Sequence, residues 1–292
     1  MQKASTLKFW DNFYIKEQER DSNEKEWIVQ PDQAILDTIK DHLPSDEKQN
    51  ILEIGCGNSS FSLSLWEYLT SGNKGLRVTL NATDVSKICV EQNLLRDVNR
   101  IESVEISGSS FRYSVLDVLE LNKSLAQKHA MILDKGCLDT FLFRSSQSKK
   151  ESHSPLVRTL LDNIHEWLQD DGKYIFITPR SKLKSVRDYA GFSSVKRIIL
   201  DTSGHLERKE KSGEHQFVFM YICSKSPKYN IGMSPFRSEL TLPAGDDICK
   251  KCGMSFNDFL GAESVDGKGK KTWARRWRGH SVHCRGINEE AI

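Results

Sequence analysis

The chain has 292 residues, 38% hydrophobic and 28% charged, which is enough for one substantial α/β core and an appendage. Lys and Arg total 42 against 40 Asp and Glu, a formal charge of +2, so no global field calls for a nucleic-acid partner. Seven cysteines, an odd number, argue against a disulfide framework and for a reducing compartment, the cytoplasm by default with the nucleus as the alternative, and no apolar run reaches bilayer length or forms a secretory leader, so no membrane partner is expected.

The first decisive segment is Ile51-Leu-Glu-Ile-Gly-Cys-Gly-Asn-Ser59. Ile51, Leu52 and Ile54 make a buried strand, Gly55 and Gly57 permit a turn that a ligand can approach closely, and the apolar spacing after Phe61 is helical. Strand, glycine turn and helix form a nucleotide-type cradle. A dinucleotide site shows a third glycine, but Ser60 holds that place, and Glu53 precedes the turn by two residues. A carboxylate there suits a ligand with positive charge near the turn and repels a pyrophosphate.

Further strands follow at the intervals of a doubly wound sheet. Residues 76–83 lead into Asp84 and a helical run from Ser86 to about Asn99. Residues 111–116 end in Asp117, and 130–133 end in Asp134; the strand 173–178 follows a helix over about 157–168. Three acidic residues at strand carboxyl ends favour a ligand crevice at that edge of the sheet, with Asp84 placed to accept ribose hydroxyls and Asp117 beside a base. Residues 195–200 and 217–223 form a joined pair, expected to close the sheet with an antiparallel strand. A dehydrogenase-type sheet would need a parallel sixth strand after another helix, which fits less well.

Composition changes after Ser226, where Pro227, Gly232, Pro235, Pro243 and Gly245 mark a linker over 227–245. Beyond it, in 246–292, Cys249-Lys-Lys-Cys252-Gly and His280-Ser-Val-His283-Cys284 resemble two halves of a zinc site, with Cys249, Cys252, His280 and Cys284 as ligands and His283 as the competitor of His280. Unconnected thiols and a redox pair are the alternatives. Between the halves, Lys268, Lys270, Lys271, Arg275, Arg276 and Arg278 accompany Trp273 and Trp277. That run suits RNA phosphates and bases, an acidic protein partner, or a miniature core around Zn2+ with the charges solvated.

Two motifs carry a family resemblance. The segment 54–59 (Ile-Gly-Cys-Gly-Asn-Ser) and the segment 133–140 (Leu-Asp-Lys-Gly-Cys-Leu-Asp-Thr) resemble the G-C-G-N-S and L-D-K-G-T-L-D-A motifs of methyltransferase-like proteins. These are class I S-adenosylmethionine (SAM) methyltransferases, and that branch includes the enzymes that methylate lysines of elongation factor 1-alpha and citrate synthase. Phe9-Trp-Asp-Asn-Phe-Tyr14 and Glu26-Trp27 resemble the opening elements of the same branch, and the likeness covers roughly residues 7–225. Cys137, Thr140 and Ile28 depart from its pattern.

The resemblance implies a Rossmann-like seven-stranded sheet over 1–226 with an antiparallel terminal strand, binding S-adenosyl-L-methionine. It implies a cofactor set of Trp27, Glu53, Gly55, Cys56, Gly57, Asn58, Asp84, Val85, Asp117, Val118 and Asp134. The expected reaction is methylation of a protein substrate, a lysine amine of a translation factor or similar protein. Asp134, facing the transfer position, and Asp139 are the residues that orient the acceptor. A helix cap is the plainer role for Asp139, and Lys135 is a neighbour of the cofactor carboxylate or a solvated turn residue. Asp134-Lys-Gly-Cys has neither the proline nor the aromatic residue that a flat base would stack on, which speaks against exocyclic base amines. The loop 144–155, with Arg144, Lys149, Lys150 and His153, is expected to border the substrate entrance or to be plain solvated loop. An RNA methyltransferase using the basic tail, and a non-catalytic adaptor on the same fold, are the alternatives.

Overall fold

A computed structural model describes residues 6–20, 24–71, 76–103, 108–120, 128–145, 155–200 and 217–226. The expected linker, the Cys249, Cys252, His280 and Cys284 set with its competitor His283, the basic run between them, and Lys149, Lys150 and His153 lie outside the described residues. Among the described residues no group of three or more His, Cys, Asp or Glu is placed to hold a metal ion, and no helix is long and apolar enough to cross a membrane.

Seven strands form one sheet: β1 (Lys48–Ile54), β2 (Arg77–Asp84), β3 (Ser110–Val115), β4 (His129–Lys135), β5 (Leu168–Thr178), β6 (Phe192–Leu200) and β7 (Val218–Lys225). Their order is β3-β2-β1-β4-β5-β7-β6. The first five pair in parallel, while β7 runs antiparallel to both β5 and β6. The sheet expected from the sequence, with its antiparallel closing pair, is the sheet that forms. β5 begins earlier than the apolar run 173–178 suggests, because Leu168 already pairs with His129 across a register shift.

Alternation along the strands divides the core into two layers. Ile51, Leu80, Met131, Leu133 and Ile175 point to one face, where α2 (Gln33–Lys40), α3 (Phe61–Ser71) and Val90 of α4 (Lys87–Ser103) cover them. Leu52, Ile54, Ile132, Tyr174 and Phe176 point to the other, under α5 (Cys137–Ser145), α6 (Pro155–Trp167) and α7 (Lys184–Arg187). A central strand buried on both faces favours apolar residues on consecutive positions, as at Ile51-Leu52 of β1 and 130–133 of β4.

Among the described helices, α1 (Leu7–Glu19), α2 and α7 have no counterpart in the expected alternation. α1 carries Phe9, Trp10, Phe13 and Tyr14 at the i, i+4 spacing that brings aromatic side chains onto one face. That face lies over the carboxyl edge of the sheet. Asp11 accepts from Ser86 Oγ at 2.6 Å, and the Tyr14 carbonyl accepts from Gln92 Nε2 at 3.5 Å, so α1 is tied to α4 and its approach.

Candidate functional site

The carboxyl ends of β1 to β5 and the aromatic face of α1 enclose a cavity of about 480 Å³. Its floor begins at the glycine turn after β1. Gly55 and Gly57 take φ of +61° and +58°, values that side chains with a Cβ rarely adopt. A Cβ on Gly55 would lie 2.7 Å from Cβ of Cys137, so the turns after β1 and β4 are in direct contact. A Cβ on Gly57 would meet Trp27 Nε1 at 3.2 Å and the Tyr14 hydroxyl at 3.4 Å.

Two side chains of α4 hold this turn from behind. Asn93 Nδ2 donates to the Gly57 carbonyl at 2.7 Å, and Arg96 Nη1 donates to the Asn58 carbonyl at 2.9 Å. Arg96 is itself fixed by Asp97 at 2.7 Å, which also accepts from Tyr113 at 2.6 Å. Asn93 and Asp97 are buried and Arg96 is half-buried, and their hydrogen bonds hold the turn from behind before any ligand arrives.

Asp84 closes the turn from the β2 side. Its Oδ2 accepts from the Gly57 N–H at 3.1 Å and its Oδ1 from the Ser86 N–H at 2.9 Å, and the carboxyl lies on the cavity wall. Burial pushes its carboxyl up to about 6, against the pull of those two N–H groups. Val85, Leu116, Asp117, Val118 and Leu119 continue the wall along the ends of β2 and β3. Asp117 Oδ1 accepts from the Leu119 N–H at 2.9 Å, which fixes the turn after β3.

The amino-terminus of α3, where a phosphate would bind in a dinucleotide site, is already taken. Glu26 accepts there from Ser60 N at 2.9 Å, Ser60 Oγ at 3.0 Å and Ser59 Oγ at 2.8 Å. Its second partner is Lys135, whose Nζ lies 3.0 Å from Glu26 Oε2 and 3.0 Å from the Trp27 carbonyl. Both side chains are buried. Just behind the turn lies Glu53, 1% exposed, whose two carboxylate oxygens have no hydrogen-bond partner. Burial raises its carboxyl to about 8, while Lys135 pulls it down and Glu26, Asp134 and Asp84 push it up.

The sequence-derived residues separate into two groups. Trp27, Gly55, Gly57, Asp84, Val85, Asp117, Val118 and Asp139 line the cavity. Glu53, Cys56, Asn58 and Asp134 do not. Cys56 is buried and donates its N–H to the Thr83 carbonyl; Asn58 is buried and accepts from Trp27 Nε1 at 3.2 Å. Asp134, expected to face the transfer position, is buried behind the cavity wall. Its oxygens accept from Cys137 N at 2.7 Å, Leu138 N at 3.0 Å and the Tyr174 hydroxyl at 2.8 Å. Asp134 is the cap of α5, the part that the plainer reading gave to Asp139, and burial lifts its carboxyl to about 7. Asp139 instead accepts from Thr178 Oγ1 at 3.0 Å and Arg180 Nε at 2.8 Å, and burial raises its carboxyl.

Phe13, Trp10, Tyr14, Lys25 and Ile28 also line the cavity. The i, i+4 aromatic pairs of α1 are the signal that marks its aromatic face in the sequence. Ile28 is the one non-glycine residue at positive φ (+66°) among those described, and its Cδ1 lies 2.9 Å from where a Cβ on Gly136 would be. A β-branched residue in that region is strained, and here its side chain covers the turn after β4.

No family model matches the sequence, and no curated protein matches it. Solved structures do match. One comes from work on the conversion of a disulfide bond into a thioacetal group during echinomycin biosynthesis, with 13% identity over 77% of this chain and 94% of that one, TM-score 0.48. A candidate class I S-adenosylmethionine-dependent methyltransferase from Listeria monocytogenes shows 12% identity over 80% of this chain and 73% of that one, TM-score 0.47. The N-methyltransferase NodS from Bradyrhizobium japonicum, solved with S-adenosyl-L-homocysteine, shows 14% identity over 74% and 99%, TM-score 0.43. The chemistry of the cavity therefore rests on its own side chains.

The contact between the two turns gives a direct expectation. Gly55→Ala should cost about 2–4 kcal/mol, from the left-handed backbone plus overlap with Cys137. In urea unfolding, adding Cys137→Gly should recover the overlap part, a coupling of about 1 kcal/mol or more. Strictly additive losses would mean the turns do not press on each other.

Proposed function

We propose that this chain transfers a methyl group from SAM to a side-chain amine of a protein substrate, a lysine in the first instance. The observation that carries the reading is the placement of Glu26 on the amino-terminus of α3, which bars a pyrophosphate from the glycine turn while leaving the turn open to the cavity. The other residues fit the same donor. Gly57 leaves room that a Cβ would take, and Asp84 and Asp117 offer acceptors at the ends of β2 and β3 for a ribose and the edge of a base. Glu53 holds an unpartnered buried carboxyl behind the turn, whose ionised form a ligand cationic there would stabilise.

SAM supplies a methyl group on a sulfonium, so transfer breaks that carbon–sulfur bond with its electron pair on sulfur while the lone pair of the acceptor nitrogen forms the new bond. The protein's part is mainly alignment, for which a rigid turn and a closed aromatic roof are suited. Asp139, on the cavity wall and held by Arg180 and Thr178, is the carboxylate that orients the acceptor amine, and the amine's proton leaves to solvent. Ile28 over Gly136 fills the place after β4 where a planar base would stack, which supports an aliphatic amine over a base amine. The test is transfer from methyl-labelled SAM into a cell extract divided into protease-treated and RNase-treated halves. Label should survive RNase and be lost to protease; the reverse would make the acceptor an RNA, and no incorporation would make the chain an adaptor.

Glu53 sets a proton count on donor binding. A carboxyl near 8 in the free protein that is pulled down by a bound cation releases its proton, so affinity should rise with pH towards about 8 and level off above it. The donor's own amino group, with a pKa of about 7.7–8.0, takes up only a small fraction of a proton at pH 7. Calorimetry at pH 7 in buffers of different ionisation enthalpy should therefore show net release, and Glu53→Gln should reduce it by at least about half a proton. Equal counts for the two proteins would remove Glu53 from the binding event.

A further inference from the structure

Lys25 sits on the segment that leads from α1 to α2, its N–H donating to the Asn58 carbonyl at 3.2 Å. Its ammonium lies 4.5 Å from the centroid of the Trp27 ring and 5.2 Å from that of Phe13. The two rings are 5.4 Å apart and inclined at 51°, so they form a notch with the ammonium between their faces. Trp10 backs the notch, with centroids 6.1 Å from Trp27 and 5.8 Å from Phe13. All four residues line the cavity.

The notch is anchored to the glycine turn. Trp27 Nε1 donates to Asn58 Oδ1 at 3.2 Å and stands 3.2 Å from where a Cβ on Gly57 would be. Its carbonyl receives Lys135, and Lys135 is committed to Glu26. Among the described residues no carboxylate forms an ion pair with Lys25. The groups within the cavity that bear negative charge, Asp84, Asp117 and Asp139, are held by Gly57 and Ser86, by Leu119, and by Arg180 respectively. Among the described residues only ring faces hold the Lys25 ammonium, an attraction weak enough for another cation to replace it.

We propose that the Phe13–Trp27 notch is a subsite for the sulfonium of the methyl donor, and that Lys25 is its internal occupant. The inference rests on the methyl-donor reading and extends it. Lys25 leaves the rings when the sulfonium arrives. Transfer leaves the electron pair of the broken carbon–sulfur bond on sulfur, so the product is a neutral thioether with no claim on the rings, and the ammonium returns. The lysine thus opposes donor and product unequally. It competes with the charged ligand and not with the uncharged one, which makes no use of the notch.

The contrast between donor and product isolates that charge. SAM and S-adenosylhomocysteine are titrated calorimetrically into the full-length chain and into Lys25→Met. SAM should bind the variant tighter by on the order of fivefold, while S-adenosylhomocysteine stays within about twofold, which changes their ratio. Lys25→Arg, which keeps a cation on the rings, should keep the parent ratio, and Phe13→Leu added to Lys25→Met should weaken SAM more than S-adenosylhomocysteine. Parallel shifts of both ligands, or no shift of SAM, would overturn the proposal. So would an unchanged ratio with a lowered KM for the acceptor, since the notch would then belong to the acceptor. If neither ligand binds the parent chain, the methyl-donor reading fails first and this inference with it.

Discussion

A chain carrying Glu26→Ala should lose about 3–5 kcal/mol of stability, the largest loss expected from any single polar side chain near the cavity. Glu26 satisfies the N–H of Ser60, the residue just before α3, and two serine hydroxyls, one of which (Ser59) in turn accepts from the first N–H of the helix, and it is the ion-pair partner of Lys135. Removing it strands a buried ammonium whose side chain is only 3% exposed, and a stranded charge costs more than the pair contributes. The same reasoning sets the rescue. Adding Lys135→Met removes the stranded charge and should return about half the loss, because only the serine and N–H bonds then remain unmade. Glu26→Gln should be milder than Glu26→Ala, since an amide oxygen still caps α3. Urea unfolding of the four proteins checks this, and a loss under about 1 kcal/mol for Glu26→Ala would show that the helix terminus does not need its carboxylate.

The second large effect concerns binding. Gly57→Arg should lower SAM affinity by on the order of 100-fold or more while costing only about 1–2 kcal/mol of stability. At φ +58° with Trp27 at 3.2 Å and Tyr14 at 3.4 Å, the new side chain has one roomy direction, which is the cavity itself. It also places a guanidinium where the donor is cationic. Parent-like affinity in this variant, with the fold intact by circular dichroism, would show that the donor does not approach the turn.

Most of the sheet is legible in the sequence because its information is local. β1 and β4 carry the short apolar runs Ile51-Leu52 and 130–133, β2 alternates Val78, Leu80 and Ala82 with polar residues, and the residues that turn the chain stand at the ends of β1, β2 and β3, so spacing alone places Gly55, Asp84 and Asp117 on one edge. What is not legible is where a carboxylate aims. Asp134 and Asp139 share one motif, and spacing cannot tell which caps α5 and which reaches the cavity; the partners Tyr174 and Arg180 that decide it come from β5 and the residues just after it. Glu53 shows the same limit. Its position before the turn is plain in the sequence, but its burial behind the wall depends on β4 and β2 packing on either side of β1. The roof is a different case. Phe9, Trp10, Phe13 and Tyr14 announce an aromatic helix face, yet only the docking of α1 on α4 turns that face onto the cavity.

The glycine turn, with Glu26 at the start of α3, is proposed to accept a cationic methyl donor and refuse a pyrophosphate. Paired calorimetric titrations of the full-length chain with SAM and with NAD test it most directly. Saturable heat is expected with SAM and none with NAD; binding of NAD with silence from SAM would overturn that reading of the turn.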